Sequence, residues 1–370
     1  MQTFTPEIPL YIDNSLLVSS LGFDSATVVA AMRAGLSRPS ALPGFSVTAE
    51  DGDEMDVQGH PINLLTHGFI GPGRYRQMLG KIFSDVSSAL RAELGNIYLL
   101  VGVPDPQRYS EGSNAETGEA LTEKENAFDL YGQTWQSIVD NSLADNGLSE
   151  RFAATKIIEM SVSKAPRLLQ MSQEALKHDP QGHVVLVTVD TLADDSGLTW
   201  LYHTGRLKTA IYPVGTSPGE CVNALILSTQ KPAEGSLRVE SVHYDVEEHA
   251  LFDNTPPQGR ALSRLLQQFV SEGDKQQASK PWFICNLSGE QRPSFEWGMA
   301  QVHCKAAGVD ISELPWIPAI NVGDVGVAYM NLALSWVLQA FDRGYAIAPR
   351  CGIASMDYTG TRSLLSVSKE

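Results

Sequence analysis

The sequence predicts a mixed α/β fold built as two related halves, each a mixed sheet layered between helices. Short runs rich in Val, Ile and Leu recur along the chain, and segments with helical apolar spacing lie between them. With 43% hydrophobic and 19% charged content, 370 residues are enough to bury a large core.

Strand-like runs come at residues 10–12, 97–103, 156–160, 183–189, 221–227, 237–244 and 282–285. Such short apolar runs suit strands covered on both faces. Helical spacing fits residues 25–34, 74–94, 128–148, 165–176, 260–270, 295–307 and 325–341. Two polar stretches, 104–125 and 246–259, read as surface excursions, the second holding Asn254-Thr255-Pro256-Pro257. A break at 228–236, around Lys231-Pro232-Ala233-Glu234-Gly235, divides the chain into an N-terminal half, 1–230, and a C-terminal half, 231–370. The second half continues the alternation of the first.

Composition excludes several classes of partner. A formal charge of −16 with no local basic cluster repels nucleic acid and anionic membrane surfaces. No apolar run reaches the roughly 18 residues that a membrane-crossing helix needs. The first residues lack the layout of a signal peptide, so the cytoplasm is the expected compartment. Cys221, Cys285, Cys304 and Cys351 are widely separated, without zinc-like spacing, and read as buried thiols. Neither a metal nor a cofactor is expected.

Residues 158–169 run from an apolar strand through Met160-Ser161-Val162-Ser163-Lys164 into a helix that turns Ala165, Leu168 and Leu169 inward. This segment resembles the nucleophile elbow of the β-ketoacyl synthases, members of the thiolase-like superfamily. There a cysteine stands at the helix N-terminus, where the dipole favours its thiolate. Ser161 takes the matching position here. The order continues through 183–187, Gly205-Arg206-Leu207, Tyr212-Pro213 and 219–227, similar to the family's strand, Gly-Ala-Leu region, Gly-Glu-Gly turn and Ala-rich strand. Residues 283–290 stand where the family ends a strand in His-Gly-Thr. Residues 320–328 resemble its Gly-His segment opening an Ala-rich helix, and 354–365 lie where it carries a Gly-Phe-Gly-Gly turn. The likeness covers most of the chain and is most specific over 321–334.

The resemblance implies a thiolase-type fold whose catalytic positions are changed. Ser161 replaces the cysteine, Leu287 or Ser288 the first histidine and Asp324 the second. No Lys stands just before Asp324, and Met356-Asp357-Tyr358 does not reproduce the glycine-rich gate. Condensation needs a thiolate and two imidazoles. A serine at a helix start stays a poor nucleophile without an adjacent base, because the dipole contributes only about 1 kcal/mol. A carboxylate at Asp324 would repel a developing oxyanion. Ser161, Ser288 and Asp324 are therefore vestigial positions, and no catalytic residue is expected.

Other constellations have plainer accounts. Ser161 and Lys164 fit a Ser-x-x-Lys hydrolase, but the same tetrapeptide recurs at Ser366–Lys369, so a helix-capping serine and a solvated or paired lysine suffice. Gly215-Thr216-Ser217-Pro218-Gly219 fits Gly-x-Ser-x-Gly, yet a strand follows it, where an elbow serine such as Ser217 requires a helix. His243, Asp245 and His249 invite a metal reading, against which a solvated polar loop with Glu247 and Glu248 is the simpler one. Glu290 and Glu296 suggest a carboxylate pair, although they span a strand-to-helix connection and suit structural roles.

The superfamily pairs chains through the strand before the elbow, so residues 154–160 are the expected interface of a homodimer or of a heterodimer with a related thiolase-like chain. Asn286-Leu287-Ser288-Gly289-Glu290, Glu296-Trp297-Gly298 and Gly323-Asp324-Val325-Gly326 resemble segments of the thiolase-like proteins encoded beside type VI secretion effectors. That likeness implies an adaptor or chaperone for a PAAR-type toxin. The alternative is an acyl-transfer or hydrolytic enzyme using Ser161 or Ser217.

Overall fold

In the computed structural model the apolar runs become strands of a ten-stranded mixed sheet. The structure describes residues 1–48, 52–90, 95–110, 112, 114, 117, 119, 134–231, 235–273 and 281–369. In chain order the strands are β1 (Gln2–Phe4), β2 (Tyr11–Ser19), β3 (Ser40–Thr48), β4 (Glu54–Gly59), β5 (Ile97–Pro104), β6 (Ala154–Met160), β7 (His183–Thr191), β8 (Glu220–Ser228), β9 (Leu237–Val246), β10 (Trp282–Cys285), β11 (Arg350–Met356) and β12 (Thr361–Lys369). The order across the sheet is β10-β11-β12-β9-β2-β8-β7-β5-β6, with β1 on β9, while β3 and β4 form a separate hairpin.

The sheet has two leaves. β2 meets β9 only through Tyr11–Arg238 and Ile12–Leu237, so β6-β5-β7-β8-β2 and β9-β12-β11-β10 join at a narrow seam. Both leaves are mixed: β5 runs parallel to β6 and β7 but β7 antiparallel to β8, and β10 runs parallel to β11 but β11 antiparallel to β12.

The longer helices are α1 (Ser25–Arg33), α2 (Pro72–Ala89), α3 (Trp135–Asp145), α4 (Arg167–His178), α5 (Asp195–His203), α6 (Arg260–Glu272), α7 (Gln291–Ala306) and α8 (Tyr329–Asp342). Alternation along the strands sorts them into layers. On β7, Val185, Val187 and Val189 pack outward beneath α2 and α3, whereas Val184 and Leu186 face α4 and α8. On the other leaf, Ile353 and Leu365 share that inner core, and Ala354 and Leu364 turn out toward α6 and α7. The result is five layers, helix–sheet–helix–sheet–helix, with α1, α4 and α8 between the leaves. A helix enclosed this way must be apolar all round. In α8 every residue but Gln339 and Asp342 is buried, and its polar Asn331 donates to the Leu186 carbonyl.

Each strand-like run lies within an observed strand except 10–12, whose Leu10 precedes β2, and each helical run overlaps an observed helix. Residues 91–94, 128–133, 232–234 and most of 111–125 lie outside the described residues. The hairpin β3–β4, α5 and the full extent of β11 and β12 are additions to the sequence reading. Among the described residues no helix is long and apolar enough to cross a membrane.

Candidate functional site

The ends of β7, β10 and β11 and the turn before α8 surround one pocket. Its floor is a buried polar network. Asp190, fully buried at the end of β7, accepts from Arg108 Nη1 at 2.7 Å, the Tyr75 hydroxyl at 3.3 Å and the backbone N–H of Val327 at 2.9 Å. Gly326 makes this approach possible. A Cβ there would lie 1.9 Å from Asp190 Oδ2, and its φ of +51° already disfavours side chains.

Two further Arg–carboxylate forks build the walls. Arg206 Nε and Nη2 donate to Glu290 at 2.6 and 3.1 Å, and Arg362 Nε and Nη2 donate to Glu296 at 2.6 and 2.8 Å. The Arg206 guanidinium also lies 4.7 Å from the centre of the Trp200 ring, which meets Tyr358 and Phe252 edge-on. Burial raises the Glu296 carboxyl above its usual range despite the opposing pull of Arg362.

The three positions expected to be vestigial meet this pocket in different ways. Ser288 and Asp324 line the pocket, and Ser161 reaches it by donating its hydroxyl to Asp357 Oδ2 at 2.6 Å. Of the two residues expected at the first histidine position, Leu287 is packed into the apolar core while Ser288 faces the pocket and donates to Glu290 at 2.9 Å. Asp324 Oδ1 accepts the Gly326 N–H at 3.0 Å, and burial pushes its carboxyl up to about 6. Asn286 ties β10 to β11 by donating to the Met356 carbonyl and accepting its N–H. Among the described residues no histidine or cysteine lines the pocket.

Ser161 does stand at the start of a turn, the 3-10 segment Val162–Lys164 before α4, but not as a side-chain cap. Its hydroxyl makes no capping bond and donates to the Asp357 carboxylate, a charge-assisted bond. The solvated-loop account of residues 243–249 is corrected too. His243 is fully buried on β9, with ring nitrogens 3.0 Å from Thr3 Oγ1 and 2.9 Å from Glu272 Oε1, and Glu247 is buried, accepting the N–H groups of Gln258 and Ala261 at the start of α6. Asp245 pairs with Arg264 and His249 lies by Asp253, so the three do not share a centre.

Ser217 lies on the approach to β8, outside the pocket lining. Its Oγ is 3.2 Å from His60 Nδ1, and His60 Nε2 is 2.9 Å from Ser37 Oγ. Sequence reasoning missed this contact, since His60 is distant in the chain. Burial, with Lys208 nearby, pushes the imidazole down to about 4, which makes it a weak base. The four cysteines are free and buried, and burial raises every thiol pKa, that of Cys285 to about 12.

Arg108, Asp190, Trp200 and Arg362 went unnoticed in the sequence, and Arg206 and Asp357 counted only as landmarks. An arginine inside an otherwise apolar or turn segment, as in Gly205-Arg206-Leu207, was the available signal, because a buried guanidinium needs a carboxylate.

Five layers and two mixed leaves define a thiolase-like fold, and solved structures agree. The chain is similar to the ishigamide ketosynthase/chain length factor, with 12% identity over 98% of this chain and 99% of that one, at a TM-score of 0.69. It is likewise similar to the ketosynthase ApeO in complex with its chain length factor ApeC from Xenorhabdus doucetiae, with 11% identity over the whole of both chains and a TM-score of 0.65. A third likeness is to AntDE:AntF, a type II polyketide acyl-carrier protein in complex with its ketosynthase, with 10% identity over 98% and 99% of the two chains and a TM-score of 0.69. No protein-family model and no curated protein matches the sequence.

Proposed function

We propose that this chain is a non-catalytic thiolase-fold adaptor or chaperone that binds a protein partner, a type VI secretion effector of the PAAR-type toxin class, and holds it for loading. One observation carries the reading: Ser161, Ser288 and Asp324 meet around a single pocket where condensation requires a thiolate and two imidazoles. The Ser161 hydroxyl is spent on Asp357, and the walls are Arg–carboxylate forks, a poor surface for an acyl chain. The segments that resemble the secretion-linked proteins converge on the same pocket through Ser288, Glu290, Glu296, Asp324 and Gly326.

Pairing with a copy of itself or a related thiolase-like chain runs through β6. That strand ends the sheet, and Ala154, Thr155, Lys156 and Glu159 on it are exposed. An open edge of this length invites strand addition. The similar ketosynthase ApeO, which is in complex with its chain length factor, supports a heterodimer. Recovery of the chain from its native cell with bound partners, identified by mass spectrometry, is expected to yield an effector or a sister chain. Recovery of an acyl carrier protein alone would contradict the reading.

The contact between Ser217 and His60 favours a second reading, hydrolysis or acyl transfer. An imidazole held near 4 argues against it, because it gains little from taking a serine proton at neutral pH. A serine-directed acylating probe and malonyl and acyl thioesters test this reading together. Stoichiometric labelling at Ser217 or Ser161 would establish the enzyme.

A further inference from the structure

We infer that the pocket between Arg108, Arg206 and Asp324 binds a small zwitterion of the amino-acid class, one carboxylate and one ammonium on a short frame. The inference follows from the groups that the protein leaves without a counterpart. Three guanidiniums reach the pocket, and each is matched to one carboxylate: Arg108 to Asp190, Arg206 to Glu290, Arg362 to Glu296. The matching is incomplete on both sides. Arg108 Nε and Arg206 Nη1 are buried N–H groups with no hydrogen-bond partner, although Arg108 is only 5% exposed. Asp324, among the described residues, has the Gly326 N–H as a donor and no ion pair.

Buried donors without acceptors are costly, and a native structure normally supplies them a ligand or water. A simple anion would satisfy the two guanidinium N–H groups but face Asp324. A simple cation would neutralise Asp324 and leave both N–H groups orphaned. An acyl chain would satisfy none of them and would desolvate the Arg–carboxylate forks as well. Among these ligand classes, a molecule carrying both charges answers every group, its carboxylate toward the guanidiniums and its ammonium toward Asp324. Trp200, Tyr358 and Leu251 supply the apolar wall against which a short aliphatic frame would pack.

This site is independent of the adaptor reading, since a protein partner need not enter the pocket. Isothermal titration of the full-length chain with L-amino acids of each side-chain class, against ethylamine, acetate and glycerol, tests it. At least one amino acid is expected to saturate, with ethylamine and acetate weaker by about tenfold or more, the value of a charge-assisted bond. Asp324→Asn, near in shape, is expected to weaken that amino acid about tenfold while the melting curve stays cooperative. Arg206→Lys, which keeps the charge but loses the fork, is expected to weaken it as well. The inference is overturned if no amino acid saturates at millimolar concentration, if acetate or ethylamine binds as tightly, or if folded Asp324→Asn binds as the wild type does. Partner recovery with Asp324→Asn reports separately on the adaptor.

Discussion

The middle helical layer and the pocket beside it are neighbours made of opposite materials. Around α8 the packing is apolar on every side, as the enclosed layer of a thiolase-like fold requires. A few residues earlier in the chain, Asp324 and Gly326 line a cavity whose walls are arginines and carboxylates. The layer packs the two leaves together and the pocket carries what is particular to this chain. A change of polar side chain at Ser288 or Asp324 alters what the pocket presents without touching the contacts that hold the leaves together.

Energetic dissection sharpens that contrast. The largest effect is expected from Arg362→Ala, which strands Glu296 without its partner in a site where Arg362 is 2% exposed. Urea unfolding should reveal a loss of about 3–5 kcal/mol, largely recovered when both residues become Met. A single variant that unfolds like wild type would mean that the pocket walls contribute nothing. Leu332→Ala in α8 removes a fully buried side chain from the middle layer and is expected to cost about 3 kcal/mol by the same measurement.

A smaller effect, of opposite sign, comes from Asp13, the extra residue of a bulge where β2 meets β8. Burial raises its carboxyl from the ordinary 3.8 to about 6, opposed by a hydrogen bond with Ser228. The folded state therefore holds the proton more tightly than the unfolded chain. Its contribution is most favourable below about pH 4 and is lost as the pH rises toward 6. Asp13→Asn should stabilise the protein by on the order of 2 kcal/mol at pH 7 and hardly at all at pH 4, read from denaturation midpoints at the two values. An equal gain at both would assign the effect to packing. The smallest change is Ser161→Ala. Asp357 keeps its bonds from Thr359, so about 1 kcal/mol is at stake and partner recovery should not change. Lost partner binding in a folded Ser161→Ala protein would place that hydroxyl in the interface.

Periodicity was enough to read the mixed α/β layering because it is local. Residues 183–189 announce a strand buried on both faces, and 325–341 a helix, without knowledge of their neighbours. The hairpin β3–β4 escaped because its residues are mixed and partly exposed, with no clean alternation to mark a strand. The resemblance also pointed to Ser288 and Asp324, which line one pocket, and to Ser161, which meets it only through Asp357.

What surrounds those positions was decided by tertiary structure alone. Ser161 and Asp357 are 196 residues apart, Arg206 and Glu290 84, and Arg362 and Glu296 66. Local pattern reports which face of an element is buried, because the side chains along a strand or helix share one geometry. A salt bridge instead depends on where two distant elements end, and the sequence states that only once the chain has packed. The same reason separates His243, which the polarity of its neighbours assigned to solvent, from the interior where β9 puts it.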